Sequence, residues 1–227
     1  MAIFAIGDLH LSLGSAKPMD IFDGWHDHVK RLTSAWKANV SQDDTVVLVG
    51  DISWAMNLND CYADFSFIHS LPGHKIILKG NHDYWWTTKS KMDNYLNENG
   101  FSSISILHNN SYAVEGYSIC GTRSWMFDAG QLHDEKVINR ENGRLRASLQ
   151  SAVNENKLVF IHYPPLSGNE EATGIITLMQ EFNVKHCYYG HLHSASIRNA
   201  IEGKHYGIEF KLISADSLNF CPYKINF

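Results

Sequence analysis

Short apolar runs alternate with amphipathic segments through the first hundred residues. The runs at 2–6, 45–49 and 75–78 are almost entirely apolar, which predicts strands buried on both faces of a sheet. The segments between them repeat apolar residues every three or four positions, which predicts helices packed against that sheet. The first of these helices covers 25–36, and Asp23 is expected to cap it.

The middle of the chain is richer in strands. Residues 103–107, 111–114 and 117–121 predict three short strands, the last two joined by a hairpin turn at Glu115-Gly116. A charged background with regularly spaced apolar residues then predicts a surface helix over about 134–154.

The last seventy residues return to the alternation of the first part. Strands are predicted at 157–161 and 186–189 around a helix near 175–182, and the tail from 195 onward predicts two or three more strands. No repeat, linker or low-complexity tract interrupts the chain. The pattern predicts one α/β domain over residues 1–227, with helices outside and β-sheet inside.

The composition excludes several classes of protein. The chain has 227 residues, with 19 Lys and Arg against 24 Asp and Glu, whereas a general nucleic-acid binder shows a basic surplus. Its four cysteines include no C-x-x-C pair, which argues against a disulfide framework or a Cys-based zinc site. No apolar stretch is long enough to span a membrane. We therefore expect a cytoplasmic protein without a membrane partner, and its oligomeric state stays open.

Five of the predicted strands end in residues that can bind metal ions. Because the carboxyl ends of strands in an open α/β sheet form one crevice, we expect these residues to converge there. Glycine precedes the ligand residue in four of the five cases, and glycine permits tight turns and close approach of the backbone. The residues are Asp8 and His10, Asp51, Asn81, His162, and His191 with His193.

The types of ligand indicate the kind of metal. Carboxylate, imidazole and amide groups without a thiolate suit Mn, Fe, Zn or similar divalent ions. A carboxylate such as Asp51 can bridge two cations about 3.5–4 Å apart, the spacing used in two-metal phosphate chemistry. Alone, Asp8 and His10 have an ordinary alternative as a capped loop, and His191 and His193 as exposed loop histidines. The five blocks together indicate a metal centre.

In this order the blocks resemble those of the calcineurin-like metallophosphoesterase superfamily. The superfamily pattern is D-x-H, G-D, G-N-H-D, a lone His after a strand, and G-H-x-H. The match runs from residue 7 to residue 193. The corresponding blocks are Asp8-Leu9-His10, Gly50-Asp51, Gly80-Asn81-His82-Asp83, His162 and Gly190-His191-Leu192-His193.

The resemblance implies a fold and a reaction. The expected fold is an α/β sandwich of two β-sheet layers flanked by helices, α-β-β-α, with a dinuclear metal site at the carboxyl ends of the strands. The expected reaction is hydrolysis of phosphate esters by a hydroxide bridging two divalent or mixed-valence ions of Mn, Fe or Zn. His82 would stabilise the phosphoryl oxygens and protonate the leaving oxygen. One ion would take Asp8, His10, Asp51 and His193, and the other Asp51, Asn81, His162 and His191.

One departure from the superfamily pattern narrows the range of expected substrates. Protein serine/threonine phosphatases continue the second block as G-D-x-x-D-R-G, but here Asp51 is followed by Ile52-Ser53-Trp54-Ala55-Met56-Asn57. The acidic partner of the catalytic histidine and the phosphate-binding arginine are absent at those positions. The sequence therefore favours a phosphomonoester or phosphodiester of a small molecule or nucleotide over a phosphoprotein.

Three further residues are candidates for substrate binding. Trp54 and Trp85 follow ligand blocks and can stack on a base or other flat group, with loop packing over the sheet as the alternative. Arg123 follows a middle strand and can bind phosphate through both guanidinium nitrogens, with a surface ion pair as the alternative. The segment 122–156 separates the third and fourth blocks, and we expect it to form a partial cap over the metals.

Two other classes of function stay open. A nuclease acting on short oligonucleotides is compatible with the metal centre, although the acidic charge and the lack of a basic tract do not favour it. A non-catalytic metal-binding scaffold for protein partners would be expected to lose ligands or His82, and this chain keeps them all.

Overall fold

The computed structural model describes residues 1–125, 134–168 and 170–226. Within them, two β-sheets lie face to face, and each is covered on its outer side by helices. The longer helices are α1 (His28–Asn39), α2 (Tyr62–Ser70), α3 (Lys89–Glu98), α4 (Glu135–Gln150) and α5 (Thr173–Glu181). Short 3-10 helices cover Leu58–Cys61 and Ser194–Asn199.

The first sheet is built mainly from the amino-terminal part of the chain. Its strands are β1 (Ile3–Ile6), β2 (Thr45–Val49), β3 (His74–Leu78), β4 (Ile104–Ile106) and, from the end of the chain, β13 (Tyr223–Lys224). Strands β1 to β4 are parallel neighbours in chain order, and β13 pairs antiparallel with β1. Parallel order places the carboxyl ends of β1, β2 and β3 side by side.

The second sheet comes from the rest of the chain. Its strands are β5 (Tyr112–Val114), β6 (Tyr117–Thr122), β7 (Asn156–Ile161), β10 (His186–Tyr189), β11 (Gly203–His205) and β12 (Ile208–Leu212). In space they follow the order β11-β12-β10-β7-β6-β5, with a parallel centre and antiparallel edges. A separate two-stranded ribbon joins β8 (Leu166–Ser167) to β9 (Glu170–Glu171).

Alternating side chains of each strand divide the core into three apolar layers, because successive residues of a strand point to opposite faces. Between the sheets, Val47 and Ile76 of the first sheet share one cluster with Leu158 and Phe160 of the second. The other face of the first sheet packs on α1, α2 and α3, through residues that include Leu48, Trp36, Phe65 and Met92. The other face of the second sheet packs on α4 and α5, through residues that include Val159, Cys187, Leu149 and Met179. The expected α-β-β-α sandwich is confirmed.

The prediction that Asp23 caps the first helix is wrong. Helix α1 begins at His28, and the preceding Asp27 has a left-handed backbone (φ 52°) and makes no capping hydrogen bond with its side chain. Trp25 lies in the turn before the helix, where its backbone carbonyl accepts from His28 N at 3.0 Å. Burial of the Trp25 ring against His10 and Phe220 fixes this turn, so the apolar repeat starts three residues before the helix does.

The segment 122–156, for which a cap is expected, contains α4. This helix packs Leu145 and Leu149 against the second sheet and so belongs to the outer helical layer. Residues 126–133 of the same segment lie outside the described part of the chain.

Among the described residues, no helix combines the length and the apolar character needed to cross a bilayer.

Candidate metal centre

The loops after β1, β2 and β10 adopt a backbone conformation that non-glycine residues rarely use. Asp8, His10, Asp51 and His191 have φ values of 58°, 45°, 50° and 73°. Such left-handed residues each cost on the order of 1–3 kcal/mol, and they persist only where the surroundings enforce them. Here the two loops of the first sheet are joined by hydrogen bonds from Asp8 N to the Gly50 carbonyl and from His10 N to the Asp51 carbonyl, both 2.9 Å. The strained turns direct the side chains towards one point.

Two glycines allow the backbone to approach the aspartates closely. A Cβ atom added to Gly80 would lie 2.1 Å from Oδ1 of Asp51, and one added to Gly190 would lie 2.6 Å from Oδ2 of Asp8. Both distances are far inside van der Waals contact. At Gly80 and Gly190 there is therefore no room for a side chain.

The first ligand group consists of Asp8, His10, Asp51 and His193, whose donor atoms all lie within 4.8 Å of one another. Nε2 of His10 is 3.7 Å from Oδ2 of Asp51, and Nε2 of His193 is 3.8 Å from Oδ1 of Asp8. These two separations exceed hydrogen-bond length, whereas the Nε2 atoms of His10 and His193 lie 3.3 Å apart. The four side chains therefore surround a common point.

The second ligand group consists of Asn81, His162 and His191. Oδ1 of Asn81 lies 2.6 Å from Nε2 of His162 and 2.9 Å from Nδ1 of His191. Nδ1 of His162 donates to the Val49 carbonyl at 2.9 Å, and since a carbonyl only accepts, the lone pair of Nε2 points into the site. That Nε2 is also 3.6 Å from Oδ2 of Asp51, which therefore stands between the two groups.

The electrostatics of the site leave negative charge without a partner. Burial, and then the neighbouring Asp51, raise the pKa of Asp8 well above its usual value, while burial raises the pKa of Asp51 to about 6. Burial also lowers the pKa of His162 to about 3, so this imidazole is neutral near pH 7. Oδ2 of Asp51 is buried with no hydrogen-bond donor among the described residues. Buried carboxylates beside neutral imidazoles suit divalent cations, which supply the missing positive charge.

The predicted catalytic residue His82 lies at the same place. Its backbone N–H donates to Oδ1 of Asp51 at 2.8 Å, and its ring centre lies 5.8 Å from that of His10. The ring of Trp54 stacks on that of His10, with 4.9 Å between the ring centres, and its centre lies 4.8 Å from that of His82. Nδ1 of His82 lies 3.3 Å from the hydroxyl of Tyr84.

A model of a single known family matches most of this chain. The model for the calcineurin-like phosphoesterases covers residues 1–195, and with them all the ligand residues described above. The chain belongs to the calcineurin-like phosphoesterase family. The expected family is confirmed, and membership supports hydrolysis of phosphoesters as the reaction class, with divalent metal ions as cofactors.

One curated relative shows a partial match. It is the Gene 66 protein of Mycobacterium phage L5, which is 37% identical to this phosphoesterase over 79 residues. That alignment covers 34% of the chain and 37% of the relative, so the chain matches little more than a third of the relative's length.

Solved structures share the fold of the phosphoesterase. A protein of unknown function from Aquifex aeolicus is 16% identical with a TM-score of 0.52, and the match covers 98% of this chain and 95% of that one. The phosphopantetheinyl hydrolase PptH from Mycobacterium tuberculosis is 12% identical with a TM-score of 0.57, over 99% and 95% of the two chains. At such identities the similarity concerns the fold alone.

The three predicted substrate-binding residues differ in their position relative to the ligand groups. Arg123 is adjacent to the second ligand group, because its carbonyl accepts from the backbone N–H of His162 at 3.2 Å. Trp54 is half-buried at the edge of the first group. The expectation for Trp85 needs correction: its side chain is 2% exposed and packs against Phe65, so it belongs to the core of the first sheet and does not line an open pocket.

Asp83, the last residue of the third block, is not assigned a catalytic role from the sequence, yet this carboxylate organises the site. It is fully buried and accepts hydrogen bonds from the backbone N–H groups of Gly80, Asp51 and Ile52 at 2.7, 2.9 and 2.8 Å. It also accepts from Nε1 of Trp85 at 3.0 Å. Adjacency to His82 was the available signal, and it could not reveal donors that lie some thirty residues earlier in the chain.

Proposed function

We propose that this chain is a dinuclear metallophosphoesterase. The observation that carries the proposal is the position of Asp51: its buried Oδ2 lacks a donor among the described residues and lies 3.7 Å from His10 and 3.6 Å from His162. A carboxylate oxygen placed between two sets of ligands is suited to bridge two cations.

The two ligand groups would each hold one cation of Mn, Fe or Zn, with Asp51 shared. When bound, the cations would supply positive charge that activates water and polarises the phosphate. The first cation would be held by Asp8, His10, Asp51 and His193, and the second by Asp51, Asn81, His162 and His191.

The remaining polar residues would act on the substrate itself. His82 would donate a hydrogen bond to a phosphoryl oxygen and a proton to the leaving oxygen, and the hydroxyl of Tyr84 would hold its ring. Arg123 would bind a second phosphoryl oxygen from the side of His162. Trp54 would face the organic part of the ester at the rim of the first group.

We infer a small-molecule or nucleotide phosphate ester as the substrate. The residues after Asp51 include no Asp-Arg pair of the kind that the protein phosphatases use, and Nδ1 of His82 faces the hydroxyl of Tyr84 at 3.3 Å. The half-buried Trp54 supports a flat or apolar leaving group, because an indole face can stack on one.

A hydrolysis assay tests the proposal directly. We expect purified protein with added Mn²⁺ to hydrolyse p-nitrophenyl phosphate or bis(p-nitrophenyl) phosphate, and the ratio of the two rates gives the preference for monoesters or diesters. Treatment with a chelating resin should abolish both rates, and Mn²⁺ should restore them. Absence of turnover with Mn²⁺, Fe²⁺ and Zn²⁺ on both esters would contradict the proposal.

Replacement of His82 separates its role from metal binding. We expect His82→Ala to lower kcat by about 10²–10⁴-fold, since it removes a general acid. Metal content, measured by mass spectrometry of the purified variant, should stay at the wild-type level. A variant that loses metal would show that His82 is itself a ligand and that its assigned role is wrong.

A further inference from the structure

A narrow cleft lies beside the second ligand group, where strands β3, β4 and β6 end. Its lining includes the basic residues Lys79, His108, Arg123 and Arg144, and we call it the basic cleft. Arg123 connects it to the metal ligands, since its carbonyl accepts from the backbone N–H of His162.

The basic cleft carries a surplus of positive charge. Its lining includes three cationic side chains and, among the described residues, no acidic one. The carboxylate behind it belongs to Glu141 of α4, which is 1% exposed and is engaged at 2.6 Å by Arg144 and at 2.7 Å by Thr122. Arg123 reaches the same carboxylate only at 3.5 Å. One carboxylate therefore serves two guanidinium groups, while the whole chain has a formal charge of −5.

Arg123 has hydrogen-bonding capacity left over. Its side chain is 14% exposed, and its Nε is buried without an acceptor among the described residues. A buried donor without a partner is unfavourable, and such a donor is usually explained by a ligand or water. Burial, followed by the charge of Arg144, holds the pKa of the adjacent His108 below its usual value, which agrees with uncompensated positive charge in the cleft.

We propose that the basic cleft binds a second phosphoryl group of the substrate, next to the phosphate that is cleaved at the metal centre. This proposal rests on the proposed function and adds a substrate class to it: phosphate esters that carry another phosphoryl group close by. Two guanidinium forks and an ammonium match the charge of a phosphoryl dianion. The enclosed space is only about 10 Å³, room for about one water, so one phosphoryl oxygen enters the cleft. The rest of the phosphoryl group and the organic part stay at its mouth.

Direct binding tests the cleft without any turnover. Metal-free protein is titrated calorimetrically with inorganic phosphate and with pyrophosphate. We expect pyrophosphate to bind at least about tenfold more tightly than phosphate, and Arg144→Gln to remove most of this difference, since a charge-assisted hydrogen bond is lost. The matched control is Arg146→Gln on the same helix, whose partner is the exposed Glu181 and which should bind like wild type.

Turnover tests the same idea on the substrate. With Mn²⁺ present, wild-type protein should show a higher kcat/KM for adenosine 3′,5′-bisphosphate than for adenosine 5′-monophosphate. Arg144→Gln should lower the ratio of the two values about tenfold, and Arg146→Gln should leave it unchanged. If wild type hydrolyses no ester at all, the proposed function fails, and the calorimetric result still decides whether the cleft binds anions.

A second variant covers the case in which loss of Arg144 disturbs folding. Lys79→Met leaves the pair of Arg144 with Glu141 intact and should weaken pyrophosphate binding in the same direction. Folded Arg144→Gln and Lys79→Met proteins, checked by circular dichroism, that both bind pyrophosphate as wild type does would overturn the proposal.

Discussion

The two ends of strand β2 place buried aspartates in opposite surroundings. Asp44, just before the strand, accepts hydrogen bonds from the N–H groups of Ala2 and Ser41 at 2.6 and 2.8 Å and from the Ser41 hydroxyl at 2.7 Å. Asp51, just after it, has one oxygen without any donor among the described residues. Burial tends to raise the pKa of both, but the hydrogen bonds at Asp44 outweigh it and hold its pKa below the usual value.

The difference distinguishes a structural carboxylate from a functional one. Donors of the protein itself satisfy the charged carboxylate of Asp44. The same end of the sheet also satisfies the fully buried Lys75, whose Nζ donates to the carbonyls of Leu71 and Gly73 at 2.7 Å. At the other end the chain leaves Asp51 and Asp8 near each other with raised pKa values. Perturbed carboxylates of this kind concentrate at functional sites, where an external cation completes the charge balance.

The largest effect is expected from exchanging the functional carboxylate for an amide. Asp51→Asn should lower turnover by at least about 10³-fold, because the shared ligand contributes several kcal/mol to charge stabilisation through the metals. Metal content should fall at both positions. Without metal, the variant should be at least as stable as wild type in urea, since one of two repelling buried carboxylates is gone.

The matched control is the same exchange at Asp44, the structural carboxylate at the other end of β2. Asp44→Asn should keep wild-type metal content and turnover while it is less stable. If Asp51→Asn retained both metals, or if Asp44→Asn lost them, the distinction between the two ends of β2 would be wrong.

Much of the fold was predictable because its signals are local. The apolar runs at β1, β2 and β3 are buried on both faces, and such runs identify strands without tertiary information. The start of α1 was not predictable, because burial of Trp25 in the preceding turn extends the apolar repeat beyond the helix. The division of the strands into two sheets entered as an implication of the family resemblance, since periodicity does not specify strand partners.

The residues of the candidate site likewise divide into those that the sequence could predict and those that it could not. Residues at strand ends, such as Asp8 and His162, could be selected by residue type and position alone. Trp85 could not be separated from Trp54, because both follow ligand blocks and only packing shows that the first is buried. The role of Asp83 depends on backbone donors of a distant loop, which no spacing in the sequence reveals.

A smaller effect is expected from filling the space next to Asp51. In Gly80→Ala the new methyl group would meet Oδ1 of Asp51 at 2.1 Å, so the loop must shift. We expect a loss of about 3 kcal/mol in unfolding free energy, as for other overpacked sites, together with weaker metal binding. Urea denaturation and metal analysis measure the two effects.

Gly143→Ala is the control for a glycine without neighbours. Gly143 lies inside α4, is exposed, and an added Cβ would meet nothing within 4 Å. This variant should gain about 0.5–1 kcal/mol from helix propensity and keep full activity. Equal stability of the two variants would show that Gly80 is not required by the approach of Asp51.

The smallest effect is the pH dependence of the stability that Asp44 contributes. Because the folded state holds the pKa of Asp44 below its usual value, its carboxylate stabilises the protein above about pH 4, and this contribution disappears as pH falls through the folded-state pKa. Asp44→Asn should therefore cost about 2 kcal/mol at pH 7, where an amide nitrogen faces the N–H of Ser41, and less at pH 3. Urea denaturation of both proteins at the two pH values measures the difference. A cost that is the same at pH 3 and pH 7 would mean that hydrogen bonds to the neutral acid, and not to its charge, hold this end of the sheet together.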